Sequence, residues 1–214
     1  MSEEIQIINQ NTRVEKLKIF FSKNFKKLVV IIVSILFILF SYFGYLEYKK
    51  IQKRKTADSY NQITWNETKV KSSVDIEKLI EIIKKKDPVY STLSLYFIIE
   101  NDLVDDKDEI NNFFDIVIDA QDEKEIENLI VYKKAMYNAD TASENELLEI
   151  LNPVLKSDSV WKPHSLLLMS DYFARNNNLI KSKEFLKEII SSEIVINNDI
   201  KIEAERRLKR ELSD

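Results

Sequence analysis

A run of nineteen uncharged residues, LVVIIVSILFILFSYFGYL at positions 28–46, constrains this chain more than any other feature. At about 1.5 Å per residue, a helix over that run reaches about 28 Å, the hydrocarbon thickness of a bilayer. A helix of a soluble protein normally carries a polar stripe, whereas only Ser34 and Ser41 interrupt this run. A cleaved signal peptide fits poorly, because 27 residues precede the run and Glu47, Tyr48, Lys49 and Lys50 follow where a small-residue cleavage site would stand. The run is therefore expected to cross a membrane once and to contact lipid over residues 28–46. Tyr42, Tyr45 and Tyr48 cluster at its far end, where amphipathic rings favour the headgroup layer, and Lys26 and Lys27 close the near end.

Charge near the span orients it only slightly. The near flank carries six cations, Arg13, Lys16, Lys18, Lys23, Lys26 and Lys27, and the far flank five, Lys49, Lys50, Lys53, Arg54 and Lys55. The positive-inside bias thus points to a cytoplasmic N-terminus by a single charge. The chain divides by composition into a tail, residues 1–27, the span, residues 28–46, a basic juxtamembrane segment, residues 47–55, and a domain, residues 56–214.

Composition sets the class of that domain. Its 159 residues suffice for one hydrophobic core. One Gly and three Pro in 214 residues leave too little punctuation for hairpin-rich sheets, so an all-α fold is expected. The absence of cysteine removes disulfides, thiolate metal sites and cysteine nucleophiles. Residues 1–55 hold 11 Lys and Arg against 4 Asp and Glu, and residues 56–214 hold 21 against 32. The basic segment suits anionic lipid headgroups, and the acidic domain is a poor partner for nucleic acid.

Apolar positions within the domain recur at a shift of 37 residues. Leu95, Tyr132 and Met169 superpose, as do Ile99, Met136 and Phe173. So do Ile110, Phe114 and Val117 on Leu147, Leu151 and Val154. In these two units a residue of a first helix is followed by three residues of a second at steps of 11, 4 and 3, as it is in Trp65, Ile76, Ile80 and Ile83. The last unit, Phe173, Ser182, Leu186 and Ile189, uses 9, 4 and 3. Steps of 4 and 3 share one helix face, so each unit reads as two antiparallel helices. No single pair can bury its own stripe, and four in tandem form a solenoid. Asp75, Asp106, Asp199 and the Ser143–Glu146 capping-box pattern mark helix starts, while Asn101, Asn138 and Asn176–Asn178 supply left-handed caps where glycine is absent. Residues 200–212, with Ala204, Leu208 and Leu212 on one face, read as a capping helix.

These helical pairs resemble tetratricopeptide repeats. Met169, Ser170, Phe173, Ser182, Leu186 and Ile189 fall where that motif places Leu, Gly, Tyr, Ala, Phe and Ala, while the earlier units have longer turns and only the Trp65 unit keeps the terminal Pro, as Pro88. The resemblance implies a concave binding face lined by Tyr90, Phe97, Asn101, Glu127, Lys134, Tyr137, Asn138, His164, Asp171 and Arg175. A two-carboxylate clamp is not expected there, because Leu93 stands with Phe97 and Ile130 with Lys134. Near the membrane, Glu15, Lys18, Phe20, Phe21, Lys23 and Asn24, followed by the span and by Gly44, Tyr45 and Tyr48, resemble the N-terminus of the YfgM-like ancillary subunits of the bacterial SecYEG translocon. Phe25 stands where that family often has Gly. This second likeness implies a single-pass inner-membrane protein with a cytoplasmic tail and a periplasmic repeat domain, its partners being the translocon and a periplasmic chaperone.

Catalytic signals are sparse. One histidine, His164, cannot build a histidine zinc cluster or a histidine dyad, and the sole glycine, Gly44, lies in the span, which leaves no phosphate loop. Residues 100–127 hold twelve carboxylates against Lys107 and Lys124, but Asp102, Asp105, Asp106 and Asp108 lack the spacing of a calcium loop. The acidic run reads as a solvated face or as a docking surface for a basic partner. No metal, cofactor, small-molecule substrate or enzymatic activity is expected. The sequence points to a membrane-tethered interaction protein assisting exported chains; the alternative is a structural organiser of the envelope or division machinery that binds no client.

Overall fold

The computed structural model describes residues 2–65, 72–192 and 198–211, and among them every element is an α-helix, nine in all. The chain divides into two compact units, Met1–Lys55 and Thr56–Asp214.

The first helix, α1, runs Ser2–Thr64. It is long and apolar enough to cross a membrane, and no part of its apolar stretch is buried. Two of its polar side chains bond back to the helix: Ser34 Oγ donates to the Val30 carbonyl at 2.9 Å and Asn24 Nδ2 to the Phe20 carbonyl at 3.0 Å. Such back-bonding pairs the Ser34 hydroxyl donor and one of the two Asn24 amide donors. Beyond the span, Lys49 Nζ stands 5.3 Å from the Tyr45 ring centre, one turn back.

The second unit adds α2 (Ser73–Lys84), α3 (Tyr90–Glu100), α4 (Lys107–Asp119), α5 (Lys124–Asn138), α6 (Glu144–Leu155), α7 (Lys162–Arg175), α8 (Leu179–Ser191) and α9 (Asn198–Glu211). Each helix from α2 onward packs against the next, and α2 with α4, α5 with α7 and α7 with α9 also touch. The core follows the chain in three successive clusters, centred on Phe113 and Phe114, on Leu147 and Leu151, and on Leu166 and Leu186.

Local chemistry explains most helix ends. Asp106 caps α4, accepting from the amides of Asp108 at 2.9 Å and Glu109 at 3.1 Å. Ser143 and Glu146 complete both arms of a capping box on α6. Ser72, three residues before Asp75, is the cap of α2, and Asp199 lies in the first turn of α9. Left-handed backbone occurs at Lys86 (φ 55°), Asp102 (φ 48°) and Asn177 (φ 58°). Of the asparagines expected there, Asn177 alone takes that role. Asn101 has φ −103°, because the left-handed turn falls one residue later, on Asp102. Asn138 is the last residue of α5 and is 5% exposed, its amide bonded to Asn111 instead.

The second-helix register of three units is as the spacing predicts. Ile110, Phe114 and Val117, then Leu147, Leu151 and Val154, then Ser182, Leu186 and Ile189 are all buried. The first-helix register departs most at Trp65 and Met136, and Ile99 and Tyr132 are only half-buried. Trp65 is 86% exposed, since α1 ends at Thr64, and Ile63 with Tyr60 enters the core in its place. Met136 is 45% exposed and Ala135 is fully buried against Leu147 and Leu151, where a small side chain lets α5 lie close to α6. In α2, Leu79 and Ile82 are fully buried with Ile83, while Ile76 and Ile80 are half-buried. In α9, Ala204 is buried and Leu208 packs beside it; Leu212 lies outside the described residues.

Candidate partner-binding surface

The ten residues expected to line one face occupy several local settings. Tyr90 and Phe97 of α3 are half-buried and both meet Tyr60, at ring separations of 5.9 and 6.5 Å. Both are thus committed to packing α3 against the end of α1. Asn101 closes α3, its side chain donating to the Phe97 carbonyl at 2.9 Å. Glu127 pairs with Lys124 at 2.6 Å within α5.

Lys134 and Asn138 come together in a polar cavity of about 370 Å³ between α4, α5 and α6, which Lys107 and Asn111 also line. Lys134 Nζ donates to Asp115 at 2.6 Å, and the amides of Asn111 and Asn138 bond reciprocally at 3.1 and 2.7 Å. Tyr137 turns toward Phe114, 5.7 Å away, with Lys107 Nζ 5.8 Å from its ring. Burial raises the Tyr137 phenol above its ordinary pKa, and Asp102 adds to the rise. The positive charge of this cavity is offset by Asp108, Glu146 and Glu149 on its own walls. Lys107, Asn111, Lys134 and Asn138 form two Lys-x-x-x-Asn pairs of identical spacing, a signal that sequence reading of the first helices alone overlooks.

His164 sits in a ring cluster, 5.0 Å from Trp161 and 5.9 Å from Tyr132. Its Nδ1 is buried with no hydrogen bond among the described residues. Burial lowers its pKa, and the Val160 backbone opposes that shift. Asp171, on the same helix, is bound by Arg207 of α9, and Arg175 by Asp140. Both charges expected to face a partner are therefore already neutralised within the domain.

The acidic run is likewise partly absorbed. Asp119 pairs with Lys86 at 3.0 Å, and Glu125 accepts from Ser159 Oγ at 2.8 Å and the Val160 amide at 3.3 Å. Asp122 and Glu123 form no ion pair among the described residues. They border a second cavity, of about 350 Å³, between α3 and the start of α5. Its walls carry Val89, Leu93 and Ile126, each about two-fifths exposed or more at 46, 39 and 42%. None of these three lies among the ten, because their apolarity at solvent becomes visible only when α3 and α5 are placed side by side.

Compared with family models, with curated proteins and with solved structures, the chain matches none.

Proposed function

We propose that this protein is a membrane-anchored scaffold for protein–protein interaction, an ancillary translocon or periplasmic chaperone-network subunit of the kind its N-terminus resembles. The observation that carries this reading is an apolar helix with no protein cover, in the same chain as a helical unit that has a core of its own. Lipid is the natural cover for such a helix, since its backbone is satisfied internally and Ser34 within the apolar run bonds back to it.

The helical unit supports the repeat reading through its polar ties. Lys86–Asp119, Lys107–Thr141, Ser159–Glu125, Arg175–Asp140, Lys181–Glu144 and Arg207–Asp171 each join residues 33–37 positions apart. Successive units of about that length, stacked in one direction, place such partners side by side. A stack of this kind offers long surfaces to protein partners, and the protein acts by holding them, without catalysis. The tail lies in the cytoplasm and the domain in the periplasm, attached to the inner membrane.

Crosslinking in intact membranes, followed by identification of the captured proteins, tests the reading. Translocon subunits or exported chains are the expected products. Capture of envelope or division proteins alone would replace this function with that of a structural organiser.

A further inference from the structure

The groove between α3 and α5 combines two features. Its walls are apolar and open to solvent, through Val89 and Leu93 on one side and Ile126 on the other. Its rim carries Asp122 and Glu123, both exposed and neither in an ion pair among the described residues. The neighbouring carboxylates Asp119 and Glu125 are already engaged by Lys86 and by Ser159.

The groove is also preformed. Gln121 Nε2 donates to the Val117 carbonyl at 2.9 Å, to Thr92 Oγ1 at 3.2 Å and to the Pro88 carbonyl at 3.3 Å, which fixes the α4–α5 turn against the start of α3. A surface held in place binds with less ordering cost than one that must be assembled.

We propose that this groove binds a segment of a protein partner in which apolar side chains lie next to Lys or Arg. The apolar wall would take the apolar side chains, and the uncompensated carboxylates would pair with the cations beside them. The groove's lining holds these two carboxylates and no Lys or Arg, which disfavours anionic lipid and nucleic acid as occupants. The proposal rests on the interaction reading above and names the chemistry of its partner.

The test uses the full chain in nanodiscs of phosphatidylcholine, a lipid without net charge, and three short labelled peptides read by fluorescence anisotropy. One alternates Leu and Lys, one Leu and Glu, and one Ser and Lys. The Leu–Lys peptide should bind at least about tenfold more tightly than either other peptide. Leu93→Ser with Ile126→Ser should weaken it by about tenfold or more. Asp122→Asn with Glu123→Gln should weaken it severalfold and flatten its salt dependence. Circular dichroism checks that helicity is kept, and if the serine pair loses it, the charge pair decides alone.

Equal binding of the Leu–Glu peptide, or binding unchanged in the helical variants, overturns the proposal. Membrane crosslinking separates this failure from that of the general reading. Partner capture that persists in the serine pair discards the groove and keeps the scaffold. Peptide binding without any capture by the wild-type chain does the reverse.

Discussion

Lys181 Nζ donates to the Glu144 carboxylate at 2.6 Å, joining the first turn of α8 to the first turn of α6, 37 residues earlier. The same shift carries Tyr132 and Met136 of α5 onto Met169 and Phe173 of α7, whereas the buried positions of α6 and α8, Leu147, Leu151 and Val154 against Ser182, Leu186 and Ile189, are 35 residues apart. The Lys181 and Glu144 side chains are both about two-fifths exposed. A double-mutant cycle on Glu144→Ala and Lys181→Ala should therefore give a coupling below about 1 kcal/mol, declining as salt rises. A salt-independent coupling of several kcal/mol would mean that the pair is far less solvated than the structure has it.

The buried second-helix stripes predict where stability resides. Residues 56–214, expressed alone, should form a soluble helical domain with a cooperative unfolding transition, since they hold three core clusters of their own. In that domain Phe114→Ala should cost about 3–5 kcal/mol and Leu151→Ala about 2–5 kcal/mol by denaturant unfolding. Met136→Ala, at an exposed site, should stay within about 0.5 kcal/mol.

Backbone strain makes a prediction of opposite sign. Lys86 and Asp102 hold left-handed backbone with a side chain attached, which costs roughly 1–2 kcal/mol relative to a residue free of that penalty. Lys86→Gly and Asp102→Gly should each raise stability, by at most about 1 kcal/mol after the added freedom of glycine in the unfolded chain is counted. A loss at either position would show that its side-chain contacts outweigh the strain.

His164 predicts a pH dependence. Burial beside Trp161 and Tyr132 lowers its pKa below the ordinary value of about 6.5. The unfolded chain then binds the proton more readily than the folded one, so stability is full above about pH 6.5 and declines as pH falls through and below that value. The carboxylates of Glu146, held low by Ser143, and of Glu203, held low chiefly by Arg207, act in a separate window. Their contribution is present above the ordinary carboxylate range, about pH 4, and is lost below it. Thermal unfolding followed from about pH 6.5 down to the carboxylate window should lose its pH slope in His164→Gln, and a slope unchanged in that variant would assign it to other groups.

What the sequence made legible follows from how each signal is encoded. Second-helix positions such as Phe114, Leu151 and Leu186 stand out because large apolar residues at steps of 4 and 3 mark one face. Caps such as Asp106 and Ser143 are visible because the chemistry is local. First-helix positions are less so. Matching by size favours Trp65 and Met136, whereas the helix end at Thr64 and the close approach of α6 admit Ile63 and Ala135. The left-handed turns at Lys86 and Asp102 carry no glycine or asparagine to announce them. Among the expected binding residues, Asp171 and Arg175 look like free surface charges until their partners, Arg207 and Asp140, are brought beside them. The groove walls at Leu93 and Ile126 come from separate helices, and no pattern within either one reveals them.

Protease accessibility in spheroplasts tests the central claim most directly, that α1 crosses the inner membrane and presents the helical domain outside the cytoplasm. With an epitope at each end of the full chain, added protease should remove the C-terminal epitope and digest the domain while a membrane-bound fragment keeps the N-terminal one. Loss of the N-terminal epitope with the domain intact, or recovery of the untreated protein in the soluble fraction, would contradict the account.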